Sequence, residues 1–303
     1  MRSDSPRMAE TLHKILKILK QLKRNVRIDG KRCLLQSKGG IETYDDTSSL
    51  DLLIVIGGDG TILRSVREMK NFDVPVLSIN RGTIGFLTEM TVARMETMLR
   101  QFLSGKGKIE KRSLLHVVAM RGKKKLIEGK VLNEAVIAQG AISRLIDLKT
   151  CVNGDPLAVF HADGVIIATP TGSTAYSLAA GGPIVHPQMR ATILTPINPH
   201  SFTQKPLVLP AENEIEVTIM TKKSRFSDVH VSLTLDGQTY VTLERGDIVR
   251  AKIAKETVQF LRLSEETFFS TLRSKLKWGE RLEGVEREDE DPPAPVKKNR
   301  NML

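Results

Sequence analysis

The sequence predicts an α/β half followed by a β-rich half built as a sandwich or as stacked sheets. Three observations predict it. Over the first third of the chain, short runs of branched apolar residues alternate with segments of helical period, the pattern of a parallel sheet covered by helices. From Leu114 onward the texture changes to one short strand-like run after another. At 303 residues the chain exceeds the usual size of one compact domain, so two domains sharing a cleft are expected. The expected division is 1–108 plus 262–283 for the α/β half, 109–261 for the β-rich half and 284–303 for a disordered tail.

The elements follow in order. Thr11 to Arg24 puts Leu12, Ile15, Leu16, Leu19 and Leu22 on one stripe with lysines opposite, an amphipathic helix covering a sheet. Leu52 to Ile56 reads as a strand, Gly57 to Gly60 as a tight turn, and Thr61 to Met69 as a helix. Val74 to Ile79 repeats the strand, a glycine-containing turn spans Asn80 to Gly85, and Val92 to Leu103 is helical. Strand-like segments then run over Leu114 to Met120, Gly129 to Ala138, Ile142 to Val152, Leu157 to Phe160, Val165 to Thr169, Glu214 to Thr221, Val229 to Leu235 and Asp247 to Lys255. Glu265 to Leu276 is one more helix, placed to pack back on the first half. After Leu282, charge blocks and prolines predict disorder.

Composition narrows the function classes. No apolar run approaches the roughly 18 residues of a membrane span, and the amino terminus lacks the apolar core and small-residue site of a signal peptide. The expectation is a soluble protein without a membrane partner. Cys33 and Cys151 stand without CxxC spacing, so neither a disulfide framework nor a zinc site is indicated, and a reducing cytoplasm fits. The net charge of +11 suits polyphosphate ligands. With 4% aromatic residues the chain is too poor in stacking platforms for nucleic acid to be the expected partner.

The strongest local signal is GGDGT at Gly57 to Thr61, between a strand and a helix. Glycines let backbone amides approach a phosphate, and the helix start carries partial positive charge toward it. Neither a Walker motif nor the three-glycine dinucleotide fingerprint is present. An acid in such a cradle repels bare phosphate, so Asp59 is expected to meet a divalent metal or to take a proton from an attacking hydroxyl. Taken alone, Asp59 could equally be an ordinary turn aspartate. A second glycine-rich stretch runs HADGVIIATPTGSTAYSLAAGGP from His161 to Pro183, with small hydroxylated residues able to line a polar ligand. Ser173 is not expected to be a hydrolase nucleophile, because GxSxG and ordered partners are missing. Asn133 and Glu134 form a polar pair inside an apolar run, and a solvated strand end is the plain alternative to a ligand site.

Taken together, these segments resemble the NAD kinase family, over roughly Leu50 to Trp278. GGDGT alone is shared with lipid kinases of the diacylglycerol and sphingosine type. The ordered set GGDGTILR, INRGTIGFLTEM, NEAVI, DGVIIATPTGSTAYSLAAGGPI, PHSF and PLVLP is similar to bacterial and archaeal NAD kinases. The resemblance implies a phosphofructokinase-like α/β domain, a β-rich domain carrying much of the NAD site, and a last helix returning to the first domain. It implies that Asp59 takes the ribose proton, that Gly60 and the turn amides lie beside phosphates, and that Arg64 neutralises phosphate charge. Asn133 and Glu134 match the family's pair that holds ribose and base. Asp163 and Thr174, Ala175, Tyr176, Ser177, Leu178 and Ala179 match the segment wrapping the dinucleotide, with Tyr176 stacking on a base. Arg144 and His161 align with positions contacting NAD phosphates or a neighbouring subunit, and Gln238 with a late-strand contact. ATP and NAD are the implied substrates, Mg2+ the implied cofactor, held mainly by donor phosphates, and a homodimer or tetramer the implied assembly.

The sequence departs from the family's pattern in places. Members usually open with a GIV-like strand, whereas this chain begins almost at the helix, so one strand and some donor contacts are expected to be missing. His161 and Lys205 replace common arginines, and Ala179 a common serine, which predicts altered affinity rather than a changed reaction. A lipid kinase and a nucleotide-binding module without turnover stay open as alternatives. A lipid acceptor would call for an apolar cleft, whereas Thr171 to Tyr176 offer polar groups.

Overall fold

The computed structural model describes residues 6–30, 42–44, 46–82, 85–140, 145–220, 230–263 and 268–277. In chain order the elements are α1 (Pro6–Gln21), β1 (Arg27–Asp29), β2 (Glu42–Tyr44), β3 (Leu53–Ile56), α2 (Asp59–Glu68), β4 (Val76–Asn80), β5 (Met90–Thr91) and α3 (Met95–Leu103). Then come β6 (Lys108–Arg121), β7 (Lys124–Val131), β8 (Glu134–Gln139), β9 (Ile146–Val152), β10 (Asp155–Ala162), β11 (Gly164–Ala168) and α4 (Tyr176–Ala179). The chain continues through β12 (Ala191–Ile197), β13 (Leu207–Pro210), β14 (Ile215–Ile219), β15 (Val231–Leu235), β16 (Thr239–Leu243), β17 (Ile248–Arg262) and α5 (Phe268–Leu276).

Strands β3, β4 and β5 pair in parallel, as alternating strands and helices require. They join a nine-stranded sheet through β17, whose Phe260 sits opposite Val76 of β4. The same β17 pairs antiparallel with β6 along its length and with β14 at its start, so one continuous strand couples the two halves. A six-stranded antiparallel sheet, ordered β13-β12-β11-β8-β15-β16, stacks on the β-rich end. Between the sheets lies a core that includes Leu115, Ile137, Ile146, Ile167, Leu233 and Val249, the inward-facing members of alternating strands. In the α/β half, α2 covers one face with Ile62, Leu63 and Val66, while α1 and α3 cover the other with Ile15, Leu19, Leu99 and Phe102.

Several expectations are corrected. The buried stripe of α1 is Thr11, Ile15, Ile18 and Leu19, while Leu12, Leu16 and Leu22 are half-buried, because the face is rotated toward Ile18. The run from Gly129 to Ala138 is two strands in different sheets, with Leu132 and Asn133 at the crossing. After β11 the chain makes a 3-10 turn over Gly172–Thr174 and then the single turn α4. Phe268 and Phe269 of α5 set their rings against His186 of the β-rich half, at 5.1 Å and 5.8 Å. Arg144 and the expected tail at 284–303 lie outside the described residues.

Candidate active site

The site is assembled by four segments and the 85–89 loop, all tied together by hydrogen bonds. The first is the GGDGT turn. An added Cβ on Gly57 would sit 2.4 Å from Thr61 Oγ1, so only glycine lets the helix close on its strand. Gly58 and Gly60 have no such neighbour: a Cβ there meets nothing within 4 Å. Their backbones therefore face open space at the start of α2, room in which a phosphate oxygen can reach amides.

Asp59 opens α2 and is half-buried. Its carboxylate accepts the backbone N–H of Phe86 at 3.1 Å and of Leu87 at 3.4 Å. These bonds orient the carboxylate and leave other lone pairs for a ligand. Gly85 lies directly against it, since a Cβ there would fall 2.1 Å from Oδ1. The 85–89 segment is itself anchored: Ser78 Oγ donates to Leu87 O at 2.9 Å, Gly85 N–H donates to Thr88 Oγ1 at 2.6 Å, and Arg262 donates to Thr88 O at 3.2 Å.

The second segment is the turn after β15. Gln238 donates from Nε2 to Gly60 O at 2.8 Å and accepts from Arg67 Nη1 at 2.8 Å, fastening the β-rich half to both ends of α2. Asp236, with φ 49°, turns its carboxylate inward onto the amides of Leu132 and Asn133 at 2.9 Å and Glu134 at 3.1 Å. Burial pushes the Asp236 carboxyl up against the pull of those three amides and of Arg67.

The third segment is the Asn133–Glu134 pair so held. Both are buried, at 9% and 7% exposure, which overturns the reading of a solvated strand end. Glu134 Oε2 has no hydrogen-bond partner among the described residues. Burial first, and the neighbouring Asp236 second, push its carboxyl up to about 8, so it is a neutral acid at pH 7, able to donate one hydrogen bond. An unsatisfied polar atom in that position fits a polar ligand group.

The fourth segment is the loop after β11. Thr169 donates to Leu132 O from Oγ1 at 2.5 Å and to Asn133 O from its backbone at 2.8 Å, while an added Cβ on Gly172 would sit 2.3 Å from Asn133 O. The loop is thus pressed on the Asn133–Glu134 pair. Thr171 is buried and accepts Arg112 Nη1 at 3.4 Å. Burial lowers Arg112 to about 10, against the raising effect of Glu110, and leaves it charged.

Sequence models of the ATP-NAD kinase N-terminal and C-terminal domains match residues 8–107 and 132–263. The NAD kinase of Trichlorobacter lovleyi is 45% identical over 231 residues, covering 76% of this chain and 80% of the relative. That of Moorella thermoacetica is 39% identical over 298 residues, covering 97% of this chain and 91% of the relative. The chain belongs to the NAD kinase family. Among solved structures, yeast NADH kinase complexed with NADH aligns with a TM-score of 0.78 at 25% identity, covering 93% of this chain and 88% of that one. An NAD kinase from Archaeoglobus fulgidus in complex with ATP gives 0.69 at 26%, covering 88% and 94%.

Within this family member, Asp59, Gly60, Asn133, Glu134 and Gln238 converge through the bonds just described. Arg64 projects into solvent one turn along α2. Thr174 hydrogen-bonds to Thr171 O at 3.2 Å, Tyr176 is 45% exposed, Ala179 is exposed, and Ala175 and Leu178 are half-buried beside them. Ser177 instead points inward to Thr195 Oγ1 at 2.9 Å, so its hydroxyl serves the loop's own packing. Ser173 Oγ likewise points inward, donating to Pro170 O at 2.6 Å and to Val185 O at 3.1 Å. Asp163 and His161 are not brought to this cleft. β11 runs antiparallel to β8 with Ala168 opposite Glu134 and Gly164 opposite Ala138, so Asp163 lies at the far end, roughly 17 Å along the strand. There Asp163 accepts Gln139 at 2.8 Å and Asn198 at 3.0 Å, and His161 meets Asp147 at 2.7 Å.

Sequence reasoning missed the bonding roles of Gly85, Thr169, Thr171, Arg112, Asp236 and Arg262. For Asp236 a signal was present, the Asp-Gly pair before an alternating run, which is a hairpin turn. For the others the need is tertiary and leaves no local trace.

Proposed function

We infer that the chain is an ATP-dependent NAD kinase, moving the γ-phosphoryl group to the 2′-hydroxyl of the adenosine ribose of NAD. The observation that carries the chemistry is the Asp59 carboxylate at the start of α2, oriented by the Phe86 and Leu87 amides beside the open backbone of Gly58 and Gly60. As the ribose oxygen attacks phosphorus, Asp59 takes its proton and ADP leaves with the electrons of the broken P–O bond. Asn133 and the protonated Glu134 hold ribose and base groups, the Thr174–Ala179 segment wraps the dinucleotide, and Tyr176 stacks on a base. Arg64 neutralises donor charge. Most of the barrier reduction comes from positioning and charge compensation.

Among the described residues no cluster of three or more His, Cys, Asp or Glu side chains could cage a metal. A Mg2+ ion would be held mainly by the donor phosphates, with Asp59 the carboxylate near them among the described residues, and it would supply neutralisation of phosphate charge. His161, away from this cleft, is left to contact a neighbouring subunit in this reading. Val159 and Phe202, 55% and 83% exposed near His161, are apolar surface that supports a homo-oligomer. None of the described helices is long and apolar enough to cross a membrane. A cytoplasmic setting rests on the sparse cysteines. The test is a coupled assay for NADP from NAD, with ATP and polyphosphate as alternative donors. NADP formation with ATP supports the reading, formation with polyphosphate alone keeps the kinase but overturns its ATP dependence, and a zero rate with both leaves a binding module.

A further inference from the structure

Two arginines and two glutamates, Arg112 and Glu89 buried and Arg262 and Glu110 partly buried, join the loop that holds Asp59 to the loop that holds the Asn133–Glu134 pair, and the reaction described above gives none of them a role. Arg262 ends β17, and Glu110 and Arg112 sit near the start of β6, opposite Phe260 and Val258. The strand pairing therefore places Glu110, Arg112 and Arg262 on one face of the sheet. Arg262 Nη1 donates to Glu89 Oε2 at 2.8 Å and to Thr88 O at 3.2 Å, and its Nη2 to Phe86 O at 3.5 Å. Glu89 also accepts the N–H of Leu263 at 2.6 Å. Glu110 stands 3.9 Å from Arg262 and pairs closely with Arg112, which reaches Thr171 Oγ1 at 3.4 Å. Side-chain exposure is 12% for Arg262, 5% for Glu89, 17% for Glu110 and 6% for Arg112.

The two ends of this chain of contacts are what give it meaning. Phe86 and Leu87 present their amides to Asp59, and Arg262 holds the Phe86 carbonyl, which shares a peptide unit with the Leu87 N–H, and the Thr88 carbonyl that follows. Thr171 adjoins Gly172, which is pressed against Asn133 O. A guanidinium presents five donors in a rigid fork and can hold two carbonyls and two carboxylates at once, whereas an ammonium cannot. Away from water, such a charge-balanced set has few alternative arrangements, so a shift at one end is felt at the other.

We propose that Arg262, Glu89, Glu110 and Arg112 are positioning residues that set the Asp59 carboxylate in register with the dinucleotide-holding loop, Arg262 governing the base end and Arg112 the acceptor end. The proposal rests on the kinase reading. It predicts a division of labour: loosening Arg262 misplaces the base and lowers kcat, while loosening Arg112 lets the Thr171 loop drift and raises KM for NAD.

The experiment uses full-length protein and the NADP assay. Arg262→Lys is expected to lose about 30-fold in kcat with KM for NAD within about three-fold, and to cost nothing further when Asp59 is already Asn. Arg112→Lys is expected to raise KM for NAD about ten-fold with kcat within about three-fold. Amide exchange in 85–89 should quicken in Arg262→Lys while the core strands keep their protection. Should Arg262→Lys not fold, Glu89→Gln takes its place, since it removes one acceptor from the same set and carries the same predicted split. Wild-type kcat in the folded variant, or an equal fractional loss in the Asp59→Asn background, overturns the proposal. A wild-type protein that forms no NADP overturns the kinase reading instead, so the two failures are told apart.

Discussion

Gly85→Ala isolates the placement of the Asp59 carboxylate without touching the carboxylate itself. Gly85 does not have positive φ, so alanine is acceptable to the backbone and the effect is steric. The new Cβ would stand 2.1 Å from Oδ1 and 2.5 Å from both the carboxyl carbon and Oδ2. An ordinary carbon contact needs about 3.5 Å, so carboxylate and loop must part by about 1 Å or more. Either movement breaks the bonds from the Phe86 and Leu87 amides, because those amides belong to the displaced loop. A misplacement of about 1 Å costs on the order of 10²-fold in rate. The assay is steady-state NADP formation beside direct NAD binding by calorimetry. Expected are a kcat about 100-fold down, NAD affinity within about three-fold, and no further loss when Asp59→Asn is added, since the two changes remove one function. A kcat within about three-fold of wild type would refute the steric argument and the importance of the Asp59–loop contact.

Glu134→Gln should change how stability depends on pH. In the folded chain the carboxyl titrates near 8, against 4.5 ordinarily, so the folded state holds a proton the unfolded state has released, and stability falls as pH rises through that window. At about 1.4 kcal/mol per pH unit the ceiling is about 5 kcal/mol, and urea melts at pH 5 and pH 8 should show a wild-type slope that the glutamine variant lacks. Gly172→Ala would place a Cβ 2.3 Å from Asn133 O and should raise KM for NAD about ten-fold or more with a smaller change in kcat. Gln238→Ala removes the bridge from Gly60 O to Arg67, and should cost about 1 kcal/mol by denaturant unfolding.

The strand, turn and helix around Asp59 were legible because each signal is local: Leu53–Ile56 are branched and apolar, glycines bracket the acid, and Ile62, Leu63 and Val66 repeat at helical spacing. The register of the β-rich half was not. Val131 to Ala138 reads as one apolar run, yet Asp236, about a hundred residues away, captures the amides of Leu132 to Glu134 and lets the chain cross between sheets there. Strand β12 went unread because it is buried on both faces and shows no alternation, and because Pro196 argues against a strand. Pro196 lies past the last β12 pair with β13, where a missing N–H costs no ladder bond on that side. The Asp59, Asn133 and Glu134 chemistry was visible as motifs, whereas the Arg262–Glu89 and Arg112–Thr171 contacts join residues far apart in sequence through the β17–β6 pairing. Asp163 and His161 adjoin the dinucleotide loop in sequence but are carried to the other end of β11.

The central claim is that Asp59 acts as the base that deprotonates the acceptor, and the most direct measurement is Asp59→Asn in single-turnover NADP formation with saturating ATP, beside NAD binding by calorimetry. Asparagine keeps the size of the side chain and cannot accept the proton. The account predicts a rate lowered by about 10²–10⁴-fold with NAD affinity within a few-fold. Turnover at the wild-type rate would contradict it.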